Sequence, residues 1–308
     1  MAIKSLVLQS GDTIGLITPG SPINAEIINA RAQFLRDMGF NVVFGNNVYS
    51  IDGIVSAPAD KRAEDIMGMF QNPDVKLILP TRGGTGVQGV LPFLDFDIIR
   101  KNPKLISGYS DNTVLLNSLY QFSDLITFHS LMLIDFRAET PEYNFNQFFA
   151  ATSTFTSPRV IQNPPEMTLM SVTPGNVTGP IVGGNMTSIV NTLGTPYEID
   201  TKGKILFLEE VHSPATMIFR YLTQLSMAGK LNDCLGIIMG ECTDCAASYN
   251  TTYSNLINYF LVPLGKPLMT NLATGHGRYK AAIPIGATVN LNTINNTLTV
   301  LEPTVSWR

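Results

Sequence analysis

The chain has 308 residues and a formal net charge of -4, with 44% hydrophobic residues and its 25 glycines and 19 prolines spread along the whole length. That length predicts two domains or one large one, each able to bury a sizeable core. No Lys/Arg block is present, which excludes the electrostatic footprint of a nucleic-acid binder. No apolar run approaches the roughly 20 residues that span a bilayer, and the first residues lack a signal-peptide pattern, so a cytoplasmic protein without membrane partners is expected.

In chain order, Asp12 to Thr18 predicts a strand, followed by a Pro19-Gly20-Ser21-Pro22 turn. A helix then starts at Asn24 as N-cap, with Ile23 and Ile28 as a hydrophobic staple, Ile27, Phe34, Leu35 and Met38 on its apolar face, and Gly39 as its stop. Strand Phe40 to Phe44 follows. A second helix is predicted from Asp60 as cap, with Ala63, Ile66, Met67 and Phe70 facing inward, ending before Pro73. Next come strand Val75 to Leu79, the loop Arg82-Gly83-Gly84-Thr85-Gly86, strand Lys104 to Ser107, a helix from about Asn112 to Gln121 and strand Leu125 to Phe128. This βαβ repetition predicts a Rossmann-like parallel sheet with helices on both faces.

From Phe136 to Thr178 the pattern turns polar and proline-rich, which predicts a connection between domains. The expected division is an N-terminal domain over residues 1–140, a connecting segment over 141–178 and a smaller C-terminal α/β domain over 179–308. In the last of these, helix Asn185 to Leu193, strand Lys204 to Leu208, helix Ala215 to Ala228, strand Leu235 to Met239 and helix Tyr253 to Leu261 are predicted. Alternating residues 287–292 and 297–301, either side of Asn295-Asn296, predict a terminal β-hairpin.

Three cysteines, Cys234, Cys242 and Cys245, suit a reducing compartment. A lone CxxC over Cys242 to Cys245, without a second pair or histidines at metal spacing, predicts inert thiols. No HExxH or closely spaced His/Asp cluster occurs, so neither a metal nor a cofactor is expected.

Ser110 lies just past a predicted strand and just before a predicted helix, where open α/β sheets gather ligands. A sharp turn there would present the hydroxyl, and the helix N-terminus would offer N–H groups to an oxyanion. The run Gly108-Tyr109-Ser110-Asp111-Asn112 matches the nucleophile-elbow pattern GxSxG except at its last position. Helix capping by Ser110 or Asp111 explains the same residues equally well. The glycine loop Arg82 to Gly86 could complete an oxyanion hole. Gly84, Gly86 and Gly89 also satisfy GxGxxG, with Asp111 about 20 residues on as a ribose partner, and an ordinary glycine turn is the third reading.

A serine nucleophile requires a base and a group that orients the base. The histidines are His129, His212 and His276. His276 is flanked by Gly275 and Gly277, which suggests a loop tip carrying the ring to a ligand. Glu209, ending the apolar run Ile205 to Leu208, is the natural third member, with a solvated charge beside Glu210 as the alternative.

Taken together, the runs Gly15 to Ser21, Arg82 to Gly86, Ile106 to Asp111, Gly183 to Asn185, Gly194 to Tyr197, Ile205 to Glu209 and Gly275 to Gly277 resemble the LD-carboxypeptidase family of serine peptidases over nearly the whole chain. That family includes murein tetrapeptide carboxypeptidases and microcin immunity peptidases. The resemblance implies Ser110 as nucleophile, His276 as general base, Glu209 as the residue orienting His276, and backbone N–H groups of Asp111 and Gly84 as oxyanion hole. It implies a small peptide or peptidyl-nucleotide substrate and a homodimer. Arg82, Arg220 and Arg278 are candidates for the substrate carboxylate, because a guanidinium pairs bidentately with it, and Thr85 and His129 are further candidates for substrate contact. Thr85 stands where the family commonly has Tyr, and Ser130-Leu131 where it commonly has Gly-Pro, departures that bear on substrate fit. A small-ligand binding protein built from two α/β lobes is the reading outside enzymes.

Overall fold

The computed structural model describes residues 2–307, and the chain divides into two compact units. The first comprises residues 1–155, 282–286 and 304–308, and the second residues 156–281 and 287–303.

The first unit carries strands β1 (Thr13–Ile17), β2 (Asn41–Phe44), β3 (Val75–Pro80), β4 (Leu105–Gly108) and β5 (Thr127–His129). Its helices are α1 (Ala25–Asp37), α2 (Ala59–Gln71), α3 (Phe96–Lys101), α4 (Thr113–Ser123) and α5 (Glu142–Thr152). The strands lie in the order β5-β4-β3-β1-β2, all parallel. β1, β3, β4 and β5 are apolar and buried because helices cover both faces of such a sheet, whereas the edge strand β2 is only partly buried. The order reverses at β1 and β3, and a doubly wound sheet opens a ligand crevice at the carboxyl ends of the strands where that happens.

Asn24 caps α1 as predicted, its side chain accepting from the Glu26 N–H. The inward face of α1 is Ile28, Ala32 and Leu35, whereas Ile27 faces solvent. Helix α2 starts one residue before Asp60, with Pro58 at the N-cap, and Met69 rather than Met67 is in the core.

The second unit carries β6 (Arg159–Ile161), β7 (Met170–Thr173), β8 (Asn176–Asn185), α6 (Met186–Val190), β9 (Ile205–Val211), α7 (Ala215–Met227), α8 (Lys230–Asp233), β10 (Gly236–Thr243), α9 (Tyr253–Phe260) and β11 (Leu268–Leu272). After β12 (Ile283–Ile285) it is completed by β13 (Thr288–Asn292) and β14 (Thr297–Val300). Its eight strands run in the order β6-β14-β13-β8-β9-β10-β11-β7, with β8 to β11 parallel and the flanking pairs antiparallel. β13 and β14 form the expected hairpin.

Two features were not anticipated from the sequence. The presumed connection 141–178 contains α5, β6 and β7, whose short, polar or proline-flanked stretches hide their pattern. β12 belongs to the first unit, pairing antiparallel with β5 and forming the edge of that sheet, the position in a sheet where a proline such as Pro284 is tolerated.

Among the described residues no helix is long and apolar enough to cross a membrane.

Candidate active site

In the first unit the turns after β1, β3 and β4 converge. Ser110 has φ 61°, a left-handed conformation for a non-glycine residue, with only Tyr109 between it and the end of β4. Such a backbone costs of order 1–3 kcal/mol and persists only where its surroundings fix it. The surroundings do so here: Gly83 packs so closely that a Cβ there would stand 2.7 Å from the Ser110 Cβ and 2.9 Å from its Oγ. The Asn112 side chain donates to the carbonyls of Arg82 (3.3 Å) and Tyr109 (3.2 Å), tying the elbow to the loop after β3.

The capping reading of Ser110 and Asp111 does not hold. The N-cap of α4 is Asn112, which makes no side-chain capping bond, and a short 3-10 turn over Ser110–Asn112 precedes the helix. The Asp111 carboxylate is buried and accepts from the Val87 N–H at 2.8 Å. It is therefore engaged with protein and withdrawn from the ribose role that a dinucleotide loop would need. Gly86 moreover leads into a 3-10 stretch, Val87–Phe93, and not into an α-helix N-terminus.

The glycine loop is held from one end to the other. The Gly83 carbonyl accepts from Ser21 N–H (3.2 Å), and the Thr85 N–H donates to Ser21 Oγ (3.0 Å). Because the peptide is trans, the Gly84 N–H points away from the Ser21 N–H that the Gly83 carbonyl meets. Gly84 and Gly86 have φ of 84° and 95°, which a side chain would oppose. Gly84 and Thr85 are exposed, and Arg82 is half-buried.

In the second unit Glu209, near the end of β9, is fully buried, and its Oε2 lies 2.9 Å from His276 Nδ1. The flanking glycines of His276 prove to make room for carboxylates. A Cβ on Gly275 (φ 94°) would collide with Glu209 Oε2, and one on Gly277 with Glu241 Oε2. The loop is closed at its base by Ala281 N–H to Ala273 carbonyl (2.7 Å) and braced by Lys280 Nζ to Gly277 carbonyl (2.7 Å). His276 keeps 17% of its side-chain surface exposed, so the ring is positioned and still reachable.

Glu210 is not a solvated charge either. Alternation sends it to the opposite face of β9, where it accepts from the Thr187 N–H and hydroxyl, both at 2.8 Å, and from Asn185 Nδ2 at 3.3 Å. Burial pushes its carboxyl up, against those hydrogen bonds. It anchors the start of α6, whose cap is Asn185.

The remaining candidates separate clearly. His129 is fully buried within β5, its ring 6.3 Å from that of Tyr109, which withdraws it from substrate contact. His212 is exposed beyond β9, 3.8 Å from Asp244. Arg220 lies on α7 and lines, with Phe219 of the same helix and Tyr249 of the loop after β10, a cavity of about 430 Å³. Arg278 is exposed, its guanidinium 5.4 Å from the Tyr279 ring.

Cys242 and Cys245, expected as separate thiols, form a disulfide. The turn after β10 passes through Asp244 at φ 53° and brings their Cα atoms to 5.5 Å, within the span a disulfide requires. Cys234 is free and buried, with its thiol pushed up to about 11 by that burial. Among the described residues no group of three or more His, Cys, Asp or Glu side chains could hold a metal ion.

Sequence comparison identifies the class. Residues 14–130 match the model of the LD-carboxypeptidase N-terminal domain and residues 178–291 that of the LD-carboxypeptidase C-terminal domain. A probable murein peptide carboxypeptidase of Bacillus subtilis is 33% identical over 98% of this chain and 95% of its own length. The microcin C7 self-immunity protein MccF of Escherichia coli is 28% identical over 97% and 96%. A solved structure of MccF with aspartyl sulfamoyl adenosine, 23% identical, superposes with a TM-score of 0.92 over 99% of this chain and 100% of that one, and so shares the fold. The protein is thus a serine-type carboxypeptidase by class. It belongs to the LD-carboxypeptidase family.

Proposed function

We propose that the protein removes the C-terminal D-Ala of murein tetrapeptides by cleaving the L,D-amide bond before it, with Ser110 as nucleophile, His276 as base and Glu209 orienting His276. The observation that carries the chemistry is the positive φ of Ser110 just past the end of β4, a strained placement of the kind nucleophile elbows use. The substrate is supported by full-length similarity to the probable murein peptide carboxypeptidase.

In this mechanism Ser110 Oγ attacks the carbonyl carbon while its proton passes to His276 Nε2. The His276 tautomer is set at Nδ1 by Glu209, 2.9 Å away. The N–H groups of Asp111 and Gly84 stabilise the oxyanion. Collapse of the tetrahedral intermediate returns the proton from His276 to the leaving amine of D-Ala. Water, deprotonated by His276, then hydrolyses the acyl-serine and regenerates the hydroxyl. Arg82, half-buried at the start of the glycine loop, is the candidate of choice for the terminal carboxylate, with Arg220 and Arg278 as alternatives and Thr85 as a further contact.

The similarity to MccF over 97% of the chain favours a second reading, hydrolysis of the amide in a peptidyl- or aminoacyl-nucleotide. The test is a side-by-side assay of a murein tetrapeptide and such a nucleotide conjugate. Release of D-Ala is expected from the wild type, with a loss of about a thousandfold or more in Ser110→Ala. Wild-type turnover by Ser110→Ala sinks the proposed chemistry, and a strong preference for the conjugate replaces the substrate.

A further inference from the structure

Arg62 lies on α2, outside every motif that carries the chemistry, yet it is 5% exposed. Its guanidinium serves three separate backbone carbonyls: Nε donates to Ala57 (2.8 Å), and Nη1 donates to Gly86 (2.8 Å) and to Pro19. Those carbonyls belong to the turn after β1, the approach to α2 and the glycine loop after β3. A planar fork of fixed donors is suited to joining carbonyls from different segments in one geometry, which a lysine ammonium on its flexible stem does less well.

The next atoms along the loop complete the arrangement. The Gly86 carbonyl that Arg62 holds and the Val87 N–H that Asp111 holds at 2.8 Å are the two polar ends of a single peptide unit. That peptide is gripped from one side by a cation and from the other by an anion. Burial lowers the pKa of Arg62 and the Asp111 charge opposes that, consistent with the carboxylate compensating the guanidinium. At its other end the loop is fixed by Ser21, and Gly83 packs against Ser110 and to within 3.0 Å of the Asp111 nitrogen from the position of a Cβ.

We propose that Arg62 and the Asp111 side chain are positioning residues that clamp the Gly86–Val87 peptide and thereby hold the glycine loop against Ser110. This rests on the reading of Ser110 as nucleophile and of the loop as its oxyanion hole. Both side chains are buried and spent on backbone groups of the protein, so their role is to position the loop. Catalysis by oriented N–H groups depends on their being fixed before reaction, because a donor that must reorganise stabilises the transition state less.

Two measurements test the clamp, D-Ala release from the tetrapeptide and the rate at which a fluorophosphonate labels Ser110. In Arg62→Ala, kcat and labelling rate are expected to fall about tenfold to a hundredfold, a fraction of what deleting an oxyanion donor outright costs, with KM changed less than about twofold. Added guanidinium at millimolar concentration should restore part of both, and should restore nothing in Ser110→Ala. Unchanged labelling in Arg62→Ala, or a loss confined to KM, overturns the proposal. Where Arg62→Ala does not fold, Arg62→Lys and Asp111→Asn take its place: slowed labelling with native circular dichroism supports the clamp, and wild-type labelling in both overturns it. A wild type that is labelled at Ser110 but leaves the tetrapeptide intact breaks the substrate reading instead, and labelling alone then decides the role of Arg62.

Discussion

His276 Nδ1 and Glu209 Oε2 stand 2.9 Å apart, with the carboxylate fully buried and the imidazole partly open. The pairing depends on strand geometry. Glu209 is held near the end of β9 by β8 on one side and β10 on the other, in register with Asn185. If His276 is the base, this bond fixes its tautomer, and Glu209→Gln tests it at almost unchanged shape. The variant is expected to lose roughly a thousandfold or more in kcat, by analogy with other triads whose carboxylate is made an amide. Turnover of the tetrapeptide within about tenfold of wild type would falsify the orienting role.

Glycine substitutions separate the packing of this pair from general flexibility. Gly275→Ala forces a Cβ into Glu209 Oε2 at a φ of 94°, and should cost about 1–3 kcal/mol of stability together with most of the activity. Gly68→Ala is the contrast, since a Cβ there meets nothing within 4 Å and Gly68 lies inside α2. It should stabilise by about 0.5–1 kcal/mol and leave turnover alone. Urea denaturation with parallel assays reads both. Equal stability of the two variants would show that the space beside Glu209 is not as tight as the packing implies.

Much of the candidate site was legible because its parts sit where pattern meets punctuation. Ser110 and the glycine loop each follow a recognisable strand, and Glu209 ends an apolar run. What stayed hidden was charge on buried surface. On α2 the inward face includes Arg62 and Asp65 among Ala63, Ile66, Met69 and Phe70, and periodicity assigns charged residues to solvent. Asp65 accepts from the Asn46 and Asn47 N–H groups (3.0 and 2.9 Å) after β2, as Arg62 serves the turns after β1 and β3. The usable signal was a charged residue standing one position before an apolar stripe residue: Arg62 by Ala63, Asp65 by Ile66. The Cys242–Cys245 disulfide was hidden for another reason, since a turn through Asp244 at positive φ leaves no mark that spacing alone can distinguish from two free thiols.

The last prediction concerns Glu241, whose Oε2 has no hydrogen-bond partner and presses against Gly277. Burial raises its pKa above the ordinary 4.5, Lys280 opposes the rise and the Glu209 charge adds to it. A carboxyl raised in the folded state binds its proton more tightly there than in the unfolded chain. Its contribution to stability is therefore present below the ordinary carboxylate pKa and is lost as pH rises through the folded value. In Glu241→Gln the group can no longer ionise, so this loss disappears. Urea midpoints of wild type and variant should agree near pH 4 and diverge as pH rises, with Glu241→Gln the more stable at pH 7 to 8. The raised carboxyl of Glu210 is common to both proteins and cancels in the difference. Midpoints that stay parallel from pH 4 to 8 would mean that Glu241 ionises as readily folded as unfolded, with the Lys280 charge offsetting the burial in full.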